Sequence, residues 1–239
     1  MPSIIDAPLG RGAFEAALRA AGETWPFEET RFHRLLASGR CPDAILLRYA
    51  RATYAGAKLF CATLADLADK APDAAARLVL IENLMEEEGI FLRAEMGLVV
   101  RPERRHPALA LRFLKACGGD RGADDCGRLH AIGPGRQLLA QGRWLDAVSF
   151  LLIGQELTFS HVSACLFDLL RRRGMSGRDL AFFAVHVEAD CAHGRQALDL
   201  VLDRARTADA QRSCIQAAGE GARHWFEMHN SGASARRAA

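Results

Sequence analysis

Phe182-Phe183-Ala184-Val185-His186-Val187-Glu188-Ala189-Asp190-Cys191-Ala192-His193 is the stretch on which the reading of this chain turns. At roughly 100° per residue on an α-helix, His186, Asp190 and His193 fall at about 0°, 40° and −20°, within one narrow stripe. Phe182, Phe183, Val185 and Ala189 surround them, so the stripe is expected to face inward. Two imidazoles and a carboxylate converging in an apolar interior are costly unless something satisfies them, and a metal ion does so. Taken alone, the stretch reads equally as a buried His–Asp hydrogen-bonded network without metal. Glu188, about 160° from Asp190 on the same wheel, is expected to face solvent.

Helical periodicity extends through most of the chain. From Pro42 to about Lys70, apolar and small side chains recur every three or four residues (Leu46, Ala50, Thr53, Ala57, Phe60, Leu64), one face of a long helix. Further helices are expected over Asp73–Glu88 with Asp73 as N-cap, Pro107–Cys117, Trp144–Arg173, and Arg178–Ala205 capped by Ser176 or Gly177. A last helix covers Asp209–His229, and two shorter ones, Ala13–Ala21 and Phe27–Ala37, precede the rest. No stretch reads as a strand. Gly89–Arg105 is the least regular segment, but its apolar residues suggest a packed loop or short helix. No repeat or Pro/Ser-rich linker divides the chain. The expected architecture is all-α: one domain of seven or eight helices over residues 1–229, with a disordered tail at 230–239.

Composition narrows the function classes. The 239 residues are 50% hydrophobic and 25% charged, with a formal net charge of +2 and no long basic block, which points away from nucleic acid. No unbroken apolar run reaches the roughly 18–20 residues of a membrane span. The N-terminus lacks the features of a secretory signal, so a cytoplasmic location is expected. Seven widely spaced cysteines without a C-x-x-C pair fit neither a disulfide framework nor a zinc knuckle.

Three further places carry chemistry. Glu156 lies mid-helix within Phe150–Phe159, flanked by apolar residues over two turns, where a lone glutamate is rarely buried without a partner. That partner is either a metal or an arginine from another helix. His161, about 140° further round, should not share its site. The segment Glu82-Asn83-Leu84-Met85-Glu86-Glu87-Glu88 puts Asn83 and Glu87 on one face, distinct from Glu82 and Glu86. Negative charge there sits at a helix C-terminus, which disfavours it, and a nearby cation would relieve the conflict. His106 opens the next helix before Pro107.

Taken together, Glu82–Glu87, His106-Pro107 with Arg112-Phe113 and Gly118, Glu156, and Phe182–His193 resemble the heme-oxygenase-like diiron oxidases, which share a helical scaffold with pyrroloquinoline quinone synthase and thiaminase-II-like proteins. The resemblance spans about residues 27–205. It implies a heme-oxygenase-like bundle in which Glu87, His106, Glu156, His186, Asp190 and His193 ligate two Fe(II) ions (or manganese), with Glu87 bridging. Three carboxylates and three histidines form a hard, mixed O/N set suited to those metals. Glu87 and His106 stand nineteen positions apart, wider than the family's usual spacing, and Glu95 competes for the bridging role. Cys61 falls where some members place a further glutamate. His33 and Leu166 replace the tyrosine and lysine of members that make para-aminobenzoate from their own side chains, which argues against that reaction.

The resemblance implies an O2-using oxidase or oxygenase acting on a small amino-acid- or fatty-acid-like substrate in specialised metabolite biosynthesis. Its expected partners are that substrate and a second copy of the chain in a homodimer. Alternatives are a cofactor-independent oxidase like pyrroloquinoline quinone synthase, a heme-binding variant with His33 as axial ligand, and a non-catalytic metal-binding or interaction module. His33, Thr53, Tyr54, Cys61 and Cys165 are pocket candidates, though each also reads as ordinary packing.

Overall fold

The computed structural model of the chain describes residues 7–93, 96–120 and 131–233, leaving aside the side chains of 93, 188–191 and 231–233. In chain order these residues form α1 (Arg11–Gly22), a 3-10 turn (Phe27–Glu29), α2 (Arg31–Ala37), α3 (Asp43–Asp69), α4 (Ala74–Glu87), β1 (Ile90–Arg93), β2 (Gly97–Val100), a second 3-10 turn (Pro102–Arg104), α5 (His106–Ala116), α6 (Gly133–Ala140) and α7 (Trp144–Val148). A π-helical segment (Ser149–Glu156) then leads directly into α8 (Leu157–Arg172), followed by α9 (Ala181–Arg204) and α10 (Ala208–Ala233). The class is all-α, as the periodicity indicates.

Local chemistry sets most of the boundaries. Asp73 caps α4 by accepting from the Ala76 amide at 2.8 Å, and Thr30 caps α2 by accepting from His33 N at 3.1 Å. Gly174, at φ +95°, ends the chain's central helix in the left-handed conformation that glycine adopts freely. Three details differ from the sequence reading. Ser176 accepts from the Asp179 amide in a turn and α9 begins only at Ala181. The Gly-Pro-Gly start of α6 reads as a turn yet opens a helix, Pro134 lacking an N–H that the first turn does not need. The final helix runs past His229 to Ala233.

The irregular segment after α4 contains an antiparallel hairpin, pairing Ile90 with Val100 and Leu92 with Leu98. Leu92, Leu98 and Val100 are exposed, so no alternation of buried and exposed positions marks the strands in the sequence. The hairpin is pinched at its base. Arg101 N donates to Gly89 O at 2.7 Å, and a Cβ on Gly89, at φ +70°, would overlap the Arg101 carbonyl oxygen. The end of α4 is thereby held beside the start of α5.

Two apolar clusters fill the interior. One gathers Phe14, Leu18, Leu64, Leu67, Leu80, Leu151, Ile153, Leu198 and Val201. The other gathers Phe32, Tyr49, Ala57, Phe113, Phe159, Leu166 and Phe183. Three long helices cross from one cluster to the other, and each changes sides over a short interval. On α3 that interval is between Ala57 and Leu64, on the central helix between Ile153 and Phe159, and on α9 between Phe183 and Ala197. Cys61, Glu156, His186 and His193 all lie in these intervals.

The central helix Trp144–Arg172 is long and apolar enough to cross a membrane by length and composition, but 61% of its most apolar window is buried inside the protein. It is the core helix. Its π turns lie under α10 at very close range: a Cβ on Gly221 would overlap the Phe150 carbonyl oxygen, and one on Gly154 would overlap that of Ala218. Gly221→Ala, usually favourable within a helix, is therefore expected to destabilise by about 1–3 kcal/mol as the helices are forced apart. Urea unfolding measures this, and an unchanged or raised midpoint would refute it.

Candidate metal centre

Glu87 is the last residue of α4 and is buried, with its Oε2 2.7 Å from His106 Nδ1 at the start of α5. The hairpin thus accommodates the eighteen intervening residues and brings the two together. Glu156 closes the π segment, and α9 brings His186 and His193 to the same region. Donor atoms of Glu87, His106 and His186 lie within 4.8 Å of one another, as do those of Glu87, Glu156 and His193. Five of the six residues singled out in the sequence thus form two buried triads sharing one carboxylate. Asp190 is on α9 one turn after His186, but its side chain lies outside the described residues, as does the competitor Glu95.

Burial opposes ionisation of Glu87, yet His106, His186 and His193 outweigh it and hold the carboxyl below its usual range. Burial depresses the His186 imidazole to about 3, aided by His106, so this ring is neutral. Its Nδ1–H donates to the Phe182 carbonyl at 2.6 Å, which assigns the lone pair to Nε2. His193 pairs through Nε2 with Glu86 Oε2 at 3.2 Å, which assigns its lone pair to Nδ1. Burial lowers its basicity, but Glu86, Glu156 and Glu87 together raise it.

Several buried polar atoms of the site, Asn83 Oδ1 among them, are left without an ordinary hydrogen bond. His106 Nδ1 is close to Glu87 Oε2 but misaligned for a hydrogen bond, and Glu156 Oε2 is buried with none. Asn83, one turn before Glu87, hydrogen-bonds Glu156 but does not reach that oxygen. Lone pairs packed at contact distance and pointed past one another fit a cation between them. The donors are carboxylates and imidazoles, so the set suits iron or manganese and not a thiolate-preferring metal.

The remaining sequence candidates fall in different places. Cys61 Sγ lies 4.0 Å from Glu87 Oε2, and burial, followed by that carboxylate, pushes the thiol above its ordinary range. His161 is exposed and pairs with Glu28, away from the triads. Thr53 lines the adjoining cavity, whereas Tyr54 sits under the Lys58 ammonium and His33 packs edge-on against Phe27. Glu86 and Gln155 carry no signal in the sequence that would single them out. Glu86 is half-exposed yet holds His193, and Gln155, in the wide turn beside Glu156, donates to the Ala131 carbonyl at 3.1 Å.

A cavity adjoins the triads, with Glu87, Glu156 and His186 in its wall and about 80 Å³ of water-accessible space. That volume exceeds the roughly 10–15 Å³ one water needs. Phe60, Phe159, Phe182, Trp225 and Met228 supply its large apolar side chains, and among the described residues no lysine or arginine contributes.

Burial pushes the Glu156 carboxyl up to about 8, Glu87 adding to the shift and His193 and Asn83 opposing it. Between its ordinary value of 4.5 and about 8, the native chain keeps a proton that the unfolded chain releases. Stability of the metal-free protein therefore falls as pH rises through that window, by at most about 1.4 kcal/mol per unit. Metal-free Glu156→Gln lacks this loss. Its melting temperature is expected to exceed that of the metal-free parent by a margin that widens from about pH 5 to about pH 8; a margin that stays level or narrows rules this out.

Comparisons with known proteins bear on the fold and the family. No curated protein matches the chain. Among solved structures, a TenA homolog from Pseudomonas syringae pv. tomato str. DC3000 superposes with a TM-score of 0.66 at 13% identity, covering 92% of this chain and 89% of that one. This likeness shows the fold alone. The profile of a family described as iron-containing redox enzymes matches residues 45–226, three-quarters of the chain and the whole span that carries both triads. The chain belongs to that family of iron-containing redox enzymes.

Proposed function

We propose that this chain is a non-heme diiron oxidase or oxygenase that uses O2 to oxidise a small, largely apolar substrate. In this reading Glu87, His106, Glu156, His186, Asp190 and His193 hold two Fe(II) ions, manganese being the alternative metal. The supporting observation is the pair of buried triads that share Glu87. One carboxylate common to two donor sets is what a bridged pair of metals requires.

Two iron ions bound there would supply the electrons and the open coordination positions for O2 chemistry. The chain's own part is binding and exclusion. Phe159 and Phe182 pack their rings against His186 at centroid distances of 4.8 and 4.4 Å, shielding that ligand from water. Phe182 O and Glu86 hold the outward protons of His186 and His193, fixing both rings. Of the cavity's polar groups, Tyr49 and Thr53 stand on α3. With no cationic side chain among the described lining residues, an acidic substrate would have to place its carboxylate at the metals and its apolar chain along the aromatic wall. The length of this apolar wall favours fatty-acid-like over amino-acid-like substrates, because it offers burial to a hydrocarbon chain that an amino acid lacks.

Anaerobic Fe(II) loading followed by mixing with O2 tests the metal assignment. About two irons per chain and a transient visible absorption are expected, with iron uptake lost in Glu156→Gln and His193→Ala. Unchanged uptake in both variants, or substrate oxidation that proceeds without iron, would overturn it. The substrate class is tested with a saturated monocarboxylate series against free amino acids, read by Trp225 fluorescence. Longer monocarboxylates should bind more tightly, by about 0.8 kcal/mol per buried methylene. Ala52→Phe should shorten the preferred chain while leaving iron content unchanged. Tighter binding of amino acids than of monocarboxylates would contradict the assignment.

A further inference from the structure

Glu28, His161 and Cys165 bring a carboxylate, an imidazole and a thiol together on the surface, away from the buried triads. His161 and Cys165 are four residues apart on α8 and share a face. Glu28 comes from the 3-10 turn Phe27–Glu29, whose position is set by other contacts. Phe27 is buried, Thr30 Oγ1 donates to the Phe27 carbonyl at 2.7 Å, and the same hydroxyl caps α2. The turn therefore presents Glu28 to α8 whether or not anything is bound.

Along its two sulfur edges this cluster has the spacing of a metal site. His161 Nε2 is 2.5 Å from Glu28 Oε1, and Cys165 Sγ is 3.7 Å from both atoms. Zn–S bonds of about 2.3 Å and Zn–N or Zn–O bonds of about 2.0–2.2 Å, arranged tetrahedrally, separate the donor atoms by about 3.4–3.6 Å. The two sulfur edges already have that length. The His161–Glu28 edge would have to open by about 1 Å, and both side chains are exposed enough to move. Without a cation, Cys165 Sγ donates to the same Glu28 oxygen that pairs with His161, so all three donor atoms converge on one point.

We propose that Glu28, His161 and Cys165 form a second metal site, for a zinc-class divalent cation, at the edge of the groove lined by Trp25, Thr158 and Phe226. A thiolate in the donor set favours zinc or cobalt, whereas the buried set of oxygen and nitrogen donors favours iron or manganese, so the two sites select different metals. When sulfur binds the metal, the Cys165 thiol loses its proton to solvent and becomes the thiolate ligand. Without metal, burial and then Glu28 keep that thiol above its ordinary range, whereas at Glu28 burial is outweighed by its own backbone amide and His161, which hold the carboxyl below its range. Glu28 is thus already in the protonation state that a cation needs. One coordination position of the tetrahedron would remain for water or a small ligand.

Cobalt titration of the metal-stripped full-length protein tests the site, because thiolate–Co²⁺ charge transfer absorbs in the near ultraviolet. One equivalent is expected to give the band, and Zn²⁺ to remove it. The band should vanish in Cys165→Ser and His161→Ala but persist in Cys61→Ser and in Glu156→Gln, which lacks a ligand of the buried centre. His161→Ala should weaken Zn²⁺ affinity at least about tenfold, the lower end of what loss of even an outer partner costs. Absence of the band in the parent, its survival in Cys165→Ser, or its loss in Cys61→Ser each overturns the proposal. Persistence of the band in Glu156→Gln, with iron uptake lost, separates this site from the buried one.

Discussion

The fold is organised around buried charge. Glu87 and Glu156 are withdrawn from water together with three imidazoles, and removing an ion from water costs several kcal/mol even after the protein relaxes. Hydrogen bonds from Asn83 to Glu156 and from His193 to Glu86 relieve part of that cost. They leave His106 Nδ1 and Glu156 Oε2 without a hydrogen-bond partner. In the proposed diiron reading, three carboxylates, counting Asp190, against two divalent cations would leave one positive charge, enough to receive an anionic substrate group.

The two apolar clusters give this arrangement its place. Each is a conventional helical core, and the polar residues occupy the layer where α3, the central helix and α9 pass from one to the other. A layer of this kind is enclosed on both sides by close-packed side chains, so its donors are held rigidly while the cavity reaches them from the direction of Tyr49 and Trp225. The hairpin serves the same layer from outside. By pinching the chain between Gly89 and Arg101 it delivers the ends of α4 and α5 as neighbours, although its own strands bury little.

Much of this was legible in the sequence, for identifiable reasons. The helices announce themselves because each buries one face, and a 3.6-residue period survives any detail of packing. His186 and His193 stand out because polar groups on an apolar stripe contradict that period. Asn83 and Glu87 separate from the neighbouring acids by the same wheel. Glu86 escaped notice because its role depends on His193, more than a hundred residues away. The hairpin escaped notice because apolar residues on its exposed face hide the alternation that marks a strand, and α6 because Gly133-Pro134-Gly135 has the composition of a turn. Contacts that depend on two distant segments leave no local period to read, and Glu28 with His161 and Cys165 is a further case.

The wide turns at Ser149–Glu156 have a consequence for how this helix can change. A π turn holds more residues than an α turn, so the segment behaves as an insertion stored within a continuous helix. Loss of one residue there would restore ordinary winding while turning one flank against the other by far less than the roughly 100° that a deletion from an α turn causes. The wide turns are thus the place where this helix can change length while α8 keeps nearly the same face toward the core, whereas a single deletion within Leu157–Arg172 would swing everything beyond it out of phase.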